Sequence, residues 1–193
     1  PCGRYFHGAI DSVLEVIRNE GLAPEEIRNI RVKVSQNGYS MTCEPKALRL
    51  QPQNPFHASF SLFYCLATAA VRQKLFIEEF SEEAIQDEKN LSLARRVEPE
   101  VDDHLEHSRR AIPSTPIEIV TRDRGSFHHT TETPKGHPDN PMTFEEVFDK
   151  ATTCATYSAS SIPETNLQEL KKAIIHLEDL NDISSIPSLL TGR

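Results

Sequence analysis

An α+β fold follows from two kinds of period in one chain. Residues 30–34 and 117–121 alternate apolar and polar side chains, the pattern of half-buried strands, whereas residues 9–20 and 167–180 repeat apolar side chains at helical spacing. A third observation places the core, since residues 56–71, FHASFSLFYCLATAAV, form the longest nearly uncharged run. Strands mixed with helices in this order predict a small mixed or antiparallel sheet packed with helices, followed by C-terminal helices. The last forty residues change character at a linker of Ser158 to Ser161 and Pro163.

In chain order, Ile10, Val13, Leu14 and Ile17 share one helical face, and Gly21 stands where a C-cap is needed. Pro24, Glu25 and Glu26 make a turn or short helical start, and the strand after it is closed by the turn pair Asn37 and Gly38. Residues 39–55 carry Pro45, Pro52 and Pro55 and no sustained period, which predicts a loop with at most one helical turn. Asn54 and Pro55 then start a single helix over residues 56–71, with Phe60, Phe63, Ala67 and Ala70 on one face, ended by Arg72, Gln73 and Lys74. Ser81 begins a short helix from about residue 82, a second helix ends near Arg96, and residues 97–104 form a strand. Asp123, Arg124 and Gly125 turn the strand at 117–121 into a hairpin with residues 126–133. After the proline-rich loop at 134–141, Thr143 and Glu146 have capping-box spacing for a helix over residues 144–157. Ser158, Ser161 and Pro163 belong to a linker, and Leu167, Leu170, Ile174 and Leu177 mark an amphipathic helix whose stripe needs a partner.

Composition narrows the function. A net charge of −8 with no basic stripe beyond Arg109 and Arg110 argues against a nucleic-acid partner. The apolar run at 56–71 is too short and too rich in Ala, Ser and Thr to span a membrane. Four cysteines without C-x-x-C spacing point to reduced thiols and an intracellular setting, cytoplasmic or mitochondrial. The chain starts at Pro1 with neither an initiator Met nor a leader and reads as a fragment of a longer one. Phosphate-binding glycine loops and nucleophile elbows are absent. Eight histidines raise the question of a metal, but neither His104 with His107 nor His128, His129 and His137 has the spacing of a zinc set, so no metal is expected. Cys2 with His7 is a conceivable nucleophile pair without a flanking signature.

Four blocks, PCGRYFHGAID, FHASFSLFYCLATAA, DEKNLSLARRVEPEVDD and PKGHPDNPMTFEEVFDK, occur in an order that resembles the C-terminal half of the MmgE/PrpD family over residues 1–155. The resemblance implies a cofactor-free lyase acting on small polycarboxylates, as in 2-methylcitrate dehydratase, cis-aconitate decarboxylase and an iminodisuccinate epimerase. It further implies that residues 1–140 are a lid-type α+β domain and residues 141–193 a helical C-terminal segment, with a helical N-terminal domain that closes the site from the other side, a lysine ahead of Pro1, and a homodimer of the full-length chain. Gly3 stands where some decarboxylases have a histidine, which turns the expectation toward dehydration of a 2-methylcitrate-like acid. His7 matches the histidine of the family's H-x-x-I-D block and is the catalytic candidate. The alternative is a helix-capping histidine, and a helix N-terminus would also lower its pKa toward that of a base. Arg4 is a carboxylate-binding candidate by charge and position, and Lys135 a weaker one that also reads as a solvated surface lysine. The competing view is a non-catalytic remnant that serves as a binding or oligomerisation module.

Overall fold

In the computed structural model, residues 1–106 and 114–191 are described, so His107, Arg109 and Arg110 lie outside the described residues. The chain divides into two compact units, Pro1–Asn140 and Pro141–Arg193. The first is an α+β domain built on a four-stranded mixed sheet.

A 3-10 turn, Arg4–Phe6, runs directly into α1, His7–Glu20, which ends at Gly21 with φ of 59° and its N–H on the Ile17 carbonyl. That left-handed geometry strains any side chain, and glycine avoids the strain. Ala9, Val13, Val16 and Ile17 are buried on the face of α1 that the apolar period marks. β1, Ile27–Val34, buries Ile27, Ile30, Val32 and Val34 while Arg28, Arg31 and Lys33 point to solvent.

The connection to the next strand is more helical than its prolines imply. Ser35 accepts the Gly38 N–H at 3.1 Å and caps α2, Gln36–Cys43, so Asn37 and Gly38 sit in a first helical turn rather than a strand-closing one. α3, Lys46–Leu50, and α4, Pro55–Ser59, follow, and residues 39–55 are therefore not a loop. The uncharged run itself is two helices: it breaks at Phe60 and Ser61, and α5, Leu62–Arg72, starts again under the Ser61 cap. The Ser61 hydroxyl accepts the Tyr64 N–H at 3.1 Å and donates to the Arg49 carbonyl at 2.5 Å, which outweighs helix continuity at that point. Every residue from Leu62 to Ala70 is buried, whereas Phe56 is 68% exposed, so α5 and not the whole run is the core helix.

Where one helix was expected from about residue 82, two 3-10 turns stand instead, Glu78–Phe80 and Ala84–Gln86. Asp87 then caps α6, Glu88–Ala94, through the Lys89 N–H at 3.0 Å. β2, Val97–Val101, is shorter than expected because Asp102 accepts the His104 N–H at 3.0 Å and opens α7, Asp103–Glu106. β3, Ile117–Thr121, and β4, Ser126–His129, form the expected antiparallel hairpin. The sheet order is β2-β1-β3-β4, with β1 parallel to β2 and antiparallel to β3. A parallel neighbour needs a long crossover, and the helical stretch from α2 to α6 supplies it. On the open face Arg31 bridges Glu98 at 3.3 Å and Glu118 at 3.0 Å; such exposed pairs fix register more than they stabilise.

α1 lies against α5, β3 and β4. Its tie to the segment after β4 is a buried hydroxyl: Ser12 Oγ accepts the Thr131 N–H at 2.9 Å, meets Thr131 Oγ1 at 2.9 Å and His129 Nδ1 at 3.2 Å, and is fully buried. Ser12→Ala leaves the Thr131 N–H without this acceptor, and we expect about 1–3 kcal/mol of destabilisation, read as a lower urea midpoint. An unchanged midpoint would show that water replaces the hydroxyl.

In the second unit, Thr143 Oγ1 accepts the Glu146 N–H at 3.2 Å and Glu146 returns to the Thr143 N–H at 2.7 Å, the capping box that starts α8, Phe144–Ala155. α9, Glu164–Ile175, buries Leu167 and Leu170; it ends before Leu177, which lies in a 3-10 turn, Leu177–Asp179, and the short α10, Ser185–Leu189, closes the unit. Ile174, Ile175 and Leu177 remain exposed.

Candidate functional site

The N-terminal end of α1 gathers the chemistry of the first unit. His7 is the first residue of α1, yet its side chain makes no capping bond; it turns back so that Nε2 lies 3.2 Å from the Cys2 carbonyl oxygen. A carbonyl oxygen only accepts, so Nε2 carries the proton, and in the neutral ring the lone pair is on Nδ1. The capping alternative for His7 is therefore not what its side chain does. Nor is its pKa lowered: hydrogen bonding to the Cys2 thiol raises it above the ordinary imidazole value, against the opposing effect of burial.

Cys2 is the counterpart. Its pKa is lowered to about 5, chiefly by hydrogen bonding with the Cys65 thiol and further by the hydrogen bond and charge of His7, while burial works the other way. Cys65, fully buried on α5, is pushed well above the usual thiol range by desolvation and then by Cys2. Cys2 is thus largely thiolate at near-neutral pH, beside the His7 imidazole. Alkylation of Cys2 by iodoacetamide at pH 6 should run about tenfold faster than that of free cysteine, because most of Cys2 is already thiolate while its lower intrinsic nucleophilicity offsets part of the gain. A rate that follows the titration of free cysteine would overturn the pair.

Asp11 stands one helical turn beyond His7. Burial raises its pKa, and the backbone N–H of Lys135, on the loop after β4, donates to Asp11 Oδ2 at 3.2 Å. The structure thus brings the loop of Lys135 to α1 through its backbone, with the Lys135 side chain exposed. Arg4 is exposed on the 3-10 turn ahead of His7 and forms no ion pair among the described residues. Asp11 and Cys65 are additions to the candidates: the His7 to Asp11 spacing of four carries a sequence signal for a shared helical face, whereas the approach of residue 2 to residue 65 has none.

The histidines after β3 take separate partners. His128 lies 3.8 Å from Glu118, His129 3.5 Å from Glu15, and His137 3.6 Å from Asp139. Among the described residues no three His, Cys, Asp or Glu side chains converge as a metal site. Two depressions of about 420 Å³ each, one bordered by Val71, Lys89 and Arg96 and the other by Thr152, Ser161 and Leu167, include none of His7, Arg4 and Lys135. His7 is instead half-buried at the surface of its unit. Among the described residues no helix is long and apolar enough to cross a membrane.

Fold and site together define an α+β domain that presents an imidazole, a carboxyl group and a thiol pair at one end of a helix. The MmgE/PrpD C-terminal domain matches residues 1–175, and the chain belongs to the MmgE/PrpD family. No curated protein matches it.

Proposed function

We propose that the first unit supplies the base-bearing wall of a lyase site for a small polycarboxylate, with dehydration of a 2-methylcitrate-like acid as the reaction. The observation that supports this most is the fixed ring of His7: with Nε2–H held by the Cys2 carbonyl, Nδ1 is the nitrogen left to take a proton from the carbon next to a carboxylate. The neighbouring thiol raises the imidazole pKa, which makes the neutral ring a stronger base. Arg4 and Lys135 would bind the carboxylates, and the hydroxyl that leaves would be protonated from a facing N-terminal helical domain. The elimination needs a proton acceptor on one side and a donor on the other, which is why two walls are required. No cofactor enters this scheme, and the full-length enzyme would be a homodimer.

The test is a panel of 2-methylcitrate, cis-aconitate and iminodisuccinate offered to a full-length chain that carries these residues after a family helical domain. Turnover of 2-methylcitrate with loss of water is expected. Carbon dioxide release from cis-aconitate, or epimerisation of iminodisuccinate, would replace dehydration by one of the other two family reactions, and inertness toward all three would refute the reading.

A second reading has its own observation. Ile174, Ile175, Leu177, Ile183 and Leu190 are all exposed in the second unit, which is what a binding or oligomerisation module would show.

A further inference from the structure

The N-terminal segment is held at the end of α4, just ahead of the helix that carries Cys65. The Gly3 N–H donates to the Ser59 carbonyl at 2.9 Å, at the junction of α4 and α5, and His7 Nε2–H holds the Cys2 carbonyl from the other side at 3.2 Å. Cys65 lies within the first turn of α5 and directs its thiol to the Ala58 carbonyl, 3.5 Å away, at the same junction. Cys2 is partly buried against the apolar core to which Cys65 belongs, so both cysteines stand at this junction, and each shifts the titration of the other. All four cysteines are free thiols, but only these two are paired: Cys43 is buried beside the Thr42 hydroxyl, and Cys154 is exposed in the other unit.

We propose that Cys2 and Cys65 form a hydroperoxide-reactive thiol pair, in which Cys2 is oxidised first and Cys65 then closes a disulfide that fastens the N-terminal segment to α5. The Cys2 thiolate attacks one oxygen of hydrogen peroxide, the O–O bond breaks, and the departing hydroxide takes a proton to leave as water, which makes Cys2 a sulfenic acid. Cys65 then attacks the Cys2 sulfur; the S–S bond forms, the S–O bond breaks, and the departing hydroxide leaves as water with the Cys65 thiol proton. Two thiols are oxidised and one peroxide is reduced to two waters. The division of labour follows exposure: Cys2 is half-open to solvent, while Cys65 is fully buried and meets oxidant only through Cys2. Closure also removes the thiolate beside His7, so the imidazole loses the partner that favours its charged form.

The pair stands on the meeting of the N-terminal segment with the start of α5 and is independent of the reaction that the domain serves. To test it, the reduced chain is treated with one equivalent of hydrogen peroxide, denatured, blocked with N-ethylmaleimide and weighed. We expect two of the four thiols to be blocked, a Cys2–Cys65 linked peptide in the digest, and recovery of all four after dithiothreitol. Cys65→Ser should lose the linked peptide and leave Cys2 as a sulfenic acid trapped by dimedone, and Cys2→Ser should leave Cys65 reduced. Four blocked thiols after peroxide, a linked peptide that joins Cys43 or Cys154 instead, or oxidation of Cys65 in Cys2→Ser would overturn the proposal.

Discussion

Replacing His7 by alanine, in a protein that joins this chain to a family helical domain, should lower kcat by about two to four orders of magnitude, the usual range for a lost general base. The native fold should survive, because the side chain is half-buried and its bond to the Cys2 carbonyl at 3.2 Å closes a surface turn rather than the core. His7→Gln separates the two roles. Its amide N–H can still donate to the Cys2 carbonyl, yet it has no basic nitrogen, so it should be as inactive as alanine while keeping the turn. The pH profile gives the sign: His7 must be neutral to act, its pKa is raised above 6.5, and kcat/KM should therefore fall as pH drops through that raised value. Cys2→Ser removes the anion that favours the imidazolium, so the acid limb should move to lower pH. An undiminished His7→Ala enzyme would remove His7 from the mechanism.

How far the sequence carries depends on whether a feature is local. The alternation around Ile30 and Val32 and the hairpin turn at Gly125 are set by neighbours in the chain, and both strands stand where the pattern puts them. Three readings fail where a side-chain oxygen outranks a stronger-looking signal. Ser35 turns Asn37 and Gly38 into a helix start, Ser61 divides the uncharged run, and Asp102 cuts β2 short by capping the next helix. Each of these side chains competes for backbone N–H groups, and apolar periodicity does not register that competition. The parallel pairing of β1 with β2 is invisible for another reason, since it depends on where the whole crossover returns the chain.

The site divides the same way. His7 is reachable through a family block and Asp11 through helical spacing. The Cys2 to Cys65 approach exists only because Gly3 bonds to Ser59 across the fold, and with it comes the reversal of the pKa expected for His7. A helix N-terminus disfavours an imidazolium by a fraction of a unit charge, whereas a thiolate within hydrogen-bonding reach favours it by a full one. The larger and nearer charge decides the direction.

Residues 1–193 alone should turn over none of the three acids, and fusion to a family helical domain should restore activity in a His7-dependent way. His7, Asp11 and Arg4 form one wall, half-buried to exposed, and an elimination carried out on one wall lacks the facing acid, the second set of carboxylate contacts and the exclusion of water. Those losses multiply, since orientation and a dry, polar enclosure each account for several kcal/mol of a typical barrier reduction. The isolated chain should also self-associate through its second unit. Of ten large apolar side chains exposed among the described residues, eight lie beyond Pro141, with Ile175 at 51% and Ile183 at 67%. Light scattering after size exclusion should show a mass above that of the monomer, and the double substitution Ile175→Glu with Ile183→Glu should return it to the monomer without lowering the thermal transition of the first unit. Turnover by the purified chain would show that one wall suffices, and a monomer at high concentration would leave those apolar side chains without a partner role.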